Sequence, residues 1–429
     1  MKKYALLIGA ALSTNAALAA EMATVDWSSV PSNTVTLFYP AQSSYQWLRS
    51  SEHKNAQRET VEGQACVTCH KGEEKALGDK LVQEGDLEPT PVEGKNGWVD
   101  LAVQAAYDDQ NAYFRFQWKT HGDQPGIEYP YYRFDGKAWK VYGGPRLNLD
   151  VQDGDQPAIY EDRLTLMVDD GKVPLFAAQG CWATCHDGER DMPGAVTKQQ
   201  AAENPLLKAL KKKDLRKFIP ASRSDDMDWS TGKSQEEIAK LKAAGQFLDM
   251  FQWRAHRSNP VGMADDGYVL EYRLFDSGKK MFDSNMDGKT KQPKFMFDAA
   301  KFGAKAVTAD QLRTKDNFLI QGVNAVPFDP NAGWKEGDML PRYATTSKVE
   351  GSAGDNLANG TWKDGVWTVV IARPLNLAHA DDKAFKAGGV YNVGFAVHDD
   401  NITTRGHFVS FTRTLGFGAA ADIEAVKLP

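Results

Sequence analysis

Residues 98–120 read WVDLAVQAAYDDQNAYFRFQWKT. Two runs alternate apolar and polar residues on either side of the turn-forming Asp108-Asp109-Gln110-Asn111. The pattern predicts a β-hairpin with Phe114, Phe116 and Trp118 on one face and Tyr113, Arg115 and Gln117 on the other. Similar text recurs at 163–168, 268–275, 361–372 around Asp364-Gly365, 391–398 and 407–414. Short strands dispersed over some three hundred residues, with turn signals between them, predict a mainly β body, an antiparallel β-sandwich or barrel-like sheet.

Helical text interrupts it twice. Asn204-Pro205 before LLKALKKKDLRKF supplies a cap, a first-turn proline and apolar Leu206, Leu207, Leu210 and Leu215 at helical spacing. Ser234-Gln235-Glu236-Glu237 is a capping box opening a second helix that carries Ile238, Leu241 and Ala244. The Lys211-Lys212-Lys213 run reads as a solvated face rather than a docking patch. Before Gly94 there is no clear strand alternation, which predicts a small helical and irregular N-terminal segment.

The first residues, MKKYALLIGAALSTNAALAAE, join two lysines, a short apolar run and an Ala-Leu-Ala end. They read as a secretory signal over 1–19, too short and too soon interrupted for a membrane anchor. The expectation is an exported protein with no stable membrane insertion. Two further units follow, an N-terminal segment over 20–93 and the β body over 94–429. A formal charge of −6, with no long Lys/Arg block, gives no electrostatic footprint for nucleic acid.

The four cysteines carry the chemistry. Cys66 and Cys69 stand in CVTCH, followed by His70; Cys181 and Cys185 stand in CWATCH, followed by His186. Four cysteines in an exported chain suggest two disulfides. Eight histidines in 429 residues make chance adjacency at both pairs a poor explanation. Two thiols that attach a haem, with the neighbouring histidine delivered to its iron, account for the order. The reading is two covalent haems c with His70 and His186 as proximal ligands. The extra residue of the second motif bulges between the attachment points. A zinc site is the weaker rival, since the pairs lie over a hundred residues apart and each brings its own histidine.

His53 lies thirteen residues before Cys66 and is the candidate distal ligand of the first iron. For the second the candidates are His256, His121, His398, His407 and Met192, the methionine reading better as a contact to a ring edge. Asp283-Ser284-Asn285-Met286-Asp287-Gly288 matches half a calcium loop, but Lys294 stands where a bidentate glutamate is needed, so a polar turn is expected. No Gly-rich phosphate loop, serine nucleophile elbow or HExxH motif is present.

The runs YEDRLTLMVDDG (160–171), GCWATCHDGERDMP (180–193), FQWRAHRSNPVGMADDGYVLEYR (251–273) and YNVGFAVHDDNITTRGHFVSF (391–411) resemble the ethylbenzene dehydrogenase-type haem-binding domain. That family includes cytochrome c-552 and dimethyl sulfoxide reductase-like haem proteins, and the resemblance covers about 98–411. LFYPAQSSYQWL (37–48) with CVTCH resembles the c-haem extension of its multihaem members. The resemblance implies an antiparallel β-sandwich haem-binding domain with helical insertions, after a small N-terminal c-haem segment. It also implies electron transfer in the periplasm to redox protein partners, among them a molybdenum-containing dehydrogenase or reductase, or another cytochrome. The methionine and lysine haem ligands of the family's gamma subunits do not carry over, because CWATCH supplies His186 instead. Two other readings stay open: a haem oxidoreductase with one five-coordinate iron acting on a small substrate, and a ligand-binding sandwich with haems as accessories.

Overall fold

The predicted hairpin forms. In the computed structural model, which describes Met22 and residues 24–54, 56–192, 194–377, 379–403 and 406–429, strands β2 (Trp98–Tyr107) and β3 (Asn111–Lys119), numbered in order after β1, pair from Leu101↔Trp118 to Tyr107↔Ala112. Asp108 closes the turn, its Oδ1 accepting the backbone N–H groups of Gln110 and Asn111, both at 2.7 Å. Phe114, Phe116 and Trp118 are buried as expected. Tyr113 on the opposite face is buried too, because a satellite cluster with Val30, Met281 and Phe282 covers it.

Among the described residues, thirteen strands join one sheet. The others are β1 (Asn33–Phe38), β4 (Arg163–Asp169), β5 (Leu248–Arg254), β6 (Asp265–Val269), β7 (Arg273–Phe275), β8 (Leu357–Lys363), β9 (Val366–Pro374), β10 (Val390–His398), β11 (Phe408–Val409), β12 (Arg413–Phe417) and β13 (Ile423–Lys427). The main path runs β8-β9-β3-β2-β1-β11-β10-β4-β5-β6-β7, with β12 and β13 forming a second bridge between β10 and β2. Pairing is antiparallel except at β13, which lies parallel to β12 and to β2.

The sheet rolls until its two ends meet, giving a barrel-like body from one sheet. Met263, just before β6, bridges to Leu357 of β8. Ala264 N–H donates to Asn356 O, and Ala358 N–H donates to Gly262 O. At this seam Gly360 of β8 lies against the Trp253 indole so closely that a Cβ would come within 2.3 Å of it. Any side chain there would push the seam open. Trp253 sits in turn against Trp367 (4.8 Å between ring centres) and Trp118 (6.1 Å), and these rings fill the end of the principal core.

Several expectations needed correction. The segment before residue 94 is helical over Tyr45–Leu48, Gln57–Val61, Cys66–His70 and Glu74–Leu81, but it also contributes β1, whose Val35 and Leu37 enter the main core. Residues 268–275 are two strands with a tight reversal, because Leu270 and Tyr272 turn inward into separate clusters. Residues 407–414 likewise split between β11 and β12. The helix after Asn204 ends at Ala209, and Lys211 takes a left-handed φ of 54°. That reversal lets Leu215 and Phe218 pack with Leu207 in one cluster. The Ser234 capping box opens Gln235–Ala243 as predicted. The half-loop begins as a strand, Phe282–Ser284, paired with Tyr343–Thr345, and turns only over 288–290, while Lys294 places its Nζ 2.9 Å from the Asp283 carboxylate, supplying the cation from within the chain. Small sheets pair Tyr131–Phe134 with Trp139–Tyr142 and with Met339–Pro341, over a separate core that includes Phe297, Val307 and Leu319. The leader lies outside the described residues. Among the described residues no helix is long and apolar enough to cross a membrane.

Candidate functional site

The first motif is itself a helix, Cys66–His70, so Cys66 and Cys69, three apart, share a face. The second folds differently. Gly180–Thr184 is a 3-10 turn and Cys185 is extended. The additional residue is thus taken up in a tightened, wholly buried turn and not in an outward bulge. Strand β10 makes room for it: a Cβ on Gly394 would come within 3.3 Å of the Cys181 sulfur. All four cysteines are free. Burial pushes the Cys66 thiol up to about 11 and the Cys185 thiol to about 12, and raises Cys181.

Although over a hundred residues apart in the chain, the motifs come together. Cys66 and Cys181 belong to one apolar cluster, with Phe38, Leu48, Trp182 and Phe411. The helix Tyr45–Leu48, capped by the Ser44 side chain on Trp47 N–H, lies between them and binds both. Toward the second motif, Tyr45 N–H donates to Cys185 O at 2.7 Å. Gln46 Nε2 lies 3.3 Å from His186 Nδ1, and its Oε1 accepts Asp187 N–H. Toward the first, Trp47 packs 5.1 Å from the His53 ring. Arg49 donates to Gln179, which donates in turn to Thr60 O, tying the two sides together.

His53 and His70 face one another with ring centres 6.4 Å apart and planes 20° apart. Leu48 O lies 3.1 Å from His53 Nδ1, and the Glu73 carboxylate lies 2.9 Å from His70 Nδ1. Holding Nδ1 in this way orients the ring and leaves Nε2 of each histidine for a metal. This pair fits an iron between two imidazoles.

His186 is wholly buried and stacked on Phe218 at 3.6 Å, with Nε2 3.1 Å from Phe218 O. Burial, then the Arg223 charge, hold it well below the usual histidine range, so it stays neutral. Both its nitrogens engage protein groups, so an iron would take Nε2 only in exchange for the Phe218 carbonyl. Tyr45, 5.0 Å from the His186 ring, also lines a cleft of about 440 Å³ with Leu175, Ile219 and Arg223.

The other candidates are dispersed. His256 is buried against Ile127 O, Tyr129, Phe318 and Glu161, none of which touches His186. His121 donates its N–H to Asp399 and bonds Gly94 O. Met192 sits in the turn after His186, its N–H on Glu189 O. His398 and His407 stack on each other at 4.8 Å. The Lys217 charge bears on His398 as well as on His186, Cys181 and Cys185, and the ring that His398 contacts is that of His407. Arg163 Nη2 and His398 Nδ1, on register partners of β4 and β10, are buried without hydrogen-bond partners. Gln46, Lys217 and Arg163 carry no local motif and were not singled out by sequence.

A family model described as ethylbenzene dehydrogenase matches residues 24–410. The chain is 28% identical to "Cytochrome c-552" of Stutzerimonas stutzeri over the full length of both chains. It is 25% identical to "Cytochrome c-551" of Rhodocyclus tenuis over 50% of this chain and 70% of that one. With both cysteine-histidine motifs inside or beside a rolled sheet that this match spans almost completely, the chain belongs to the ethylbenzene dehydrogenase family.

Proposed function

We propose that this protein is a periplasmic dihaem c-type cytochrome that transfers electrons. The observation that carries the reading is the convergence of both motifs on one apolar cluster, with His53 opposite His70 at 6.4 Å. Similarity to one cytochrome over the whole chain, and to a second over half of it, supports a redox role. Cys66 and Cys69 would hold one haem c, with the facing imidazoles of His70 and His53 offered to its iron. Cys181 and Cys185 would hold the other, with His186 offered to its iron and a further ligand drawn from His256, His121, His398, His407 or Met192. Haem bound at these positions supplies one-electron exchange between ferrous and ferric iron.

The chain's own residues do the rest. Leu48 O and Glu73 fix the imidazoles of the first pair, while Phe218 and Tyr45 cover the His186 ring. Phe411 bridges the two, 6.4 Å from His70 and 5.5 Å from Trp182, and so places a continuous aromatic path between the motifs. A short path matters because tunnelling falls steeply with distance. The partner proposed from the family is a molybdenum-containing dehydrogenase or reductase, or a further cytochrome.

Mass spectrometry of the mature protein tests the reading: two covalent haems are expected, and a single haem on Cys66 and Cys69 would overturn it at the second site. Low-spin spectra insensitive to cyanide are expected of both irons. A high-spin signal that shifts with cyanide would favour the oxidoreductase with an open iron.

A further inference from the structure

Where the two ends of the rolled sheet meet, carboxyl groups crowd together with too little positive charge. Asp249 of β5, Asp266 of β6 and Asp382 bring carboxylate oxygens within 4.8 Å of one another, all buried. Asp276, just after β7, and Asp355, just before β8, face the same group. The cation among them is Arg373 of β9, itself wholly buried, which donates to Asp249 Oδ2 at 2.9 Å and reaches only to 3.7 Å from Asp382. Lys383 offers the cluster its backbone N–H, but its ammonium is spent on Asp170. His379 lies 3.8 Å from Asp355 at the outer edge.

The pattern of unused oxygens points inward. Asp249 Oδ1 and both oxygens of Asp382 accept no hydrogen bond, and Asp276 and Asp355 meet only the neighbouring carboxyl of Asp266. Asn356 is an independent indication. It is 0% exposed, its Nδ2 donates to Asp266, and its carbonyl Oδ1 is left without a donor. A buried amide oxygen beside free carboxylate oxygens is a costly arrangement unless something takes the lone pairs.

We propose that Asp249, Asp266, Asp276, Asp382 and Asn356 form a calcium site that clamps the closing seam of the sheet. The donors are all oxygen, which selects a hard cation over zinc or copper. Oxygens from five side chains suit the six to eight ligands of calcium, whereas magnesium retains several of its waters and demands stricter geometry. A divalent ion would offset the charge that Arg373 leaves uncompensated. It would join β5, β6 and the end of β7 to the segments flanking β8 and β9, so that closure of the body depends on it.

The test uses the holoprotein, stripped with EGTA and then titrated with calcium chloride. About one equivalent of calcium by elemental analysis, and a melting temperature raised by calcium but not by magnesium, are expected. Asp382→Asn should weaken calcium binding at least tenfold with haem spectra unchanged, and without calcium it should melt no lower than the wild type, since it removes repulsion. Equal melting in calcium and EGTA with no metal retained would overturn the site, and preferential binding of magnesium would overturn its assignment to calcium. If the variant does not fold, the wild-type comparison decides alone.

Discussion

Gln46 Nε2 lies 3.3 Å from His186 Nδ1, and the same side chain accepts the N–H of Asp187 through Oε1. One side chain of the N-terminal segment thus positions the histidine of the second motif, while its neighbour Trp47 packs on His53 beside the first. The helix Tyr45–Leu48 is the mechanical link between the two sites.

Gln46→Leu should therefore act at the second site. The substitution leaves Asp187 N–H without its partner and frees His186 Nδ1, at a cost of about 1–2 kcal/mol. Denaturant unfolding reads the stability loss. On the dihaem reading proposed above, redox titration should show the potential of the haem proposed at Cys181 and Cys185 displaced, with the other unchanged. Equal displacement of both would contradict the local role.

His53→Ala removes one of the two imidazoles that face each other at 6.4 Å. His53 is partly exposed in a loop of charged neighbours, so the fold should tolerate the change. A high-spin ferric signal worth one haem should appear by electron paramagnetic resonance, together with cyanide binding to that haem. Retention of two low-spin signals would exclude His53 as a ligand.

Phe411→Leu keeps most of the buried volume and should cost about 1.5 kcal/mol or less. It breaks the ring contacts to His70, Trp182 and Phe38. Electron exchange between the haems, followed by flash reduction, should slow several-fold with the optical spectra unchanged. An unaltered rate would remove Phe411 from the path.

How much of this was legible in the sequence depends on the range of each interaction. The hairpin at 98–120 and the capping box at Ser234 are decided by residues within a few positions, and both formed as read. The cysteine-histidine motifs are equally local. Gln46 and His186 are separated by 140 positions, and nothing near either glutamine or histidine announces the pair. Strand β1 escaped notice because six residues give too little alternation, and its place is fixed by β2 and β11 on its two sides. The carboxyl cluster was invisible for the same reason: its members come from both ends of the sheet and meet only when it closes. The helix after Asn204 was read too long because Leu215 keeps helical spacing, whereas burial with Leu207 and Phe218 demands a reversal at Lys211.

The acid stability of the body should rest on Glu161. This side chain is 1% exposed, lies 2.6 Å from Arg257 and 3.3 Å from Arg163, and accepts the backbone N–H groups of His256 and Arg257. Burial alone would raise its pKa, but Arg257, Arg163 and Arg254 together hold it down at about 2. A carboxyl whose folded value lies below its unfolded value of 4.5 binds fewer protons in the native state. It therefore contributes its full stabilisation above pH 4.5 and loses it as the pH falls toward 2, on the order of 3 kcal/mol in all. Glu161→Gln should remove that part of the acid transition and, by leaving buried guanidinium groups unpaired, cost about 3–5 kcal/mol at pH 7. Thermal melts of the two proteins between pH 7 and pH 2 check both statements: the variant should be less stable at neutral pH, and the difference should shrink on acidification. A gap that stays constant or widens toward low pH would show that Glu161 does not carry the effect.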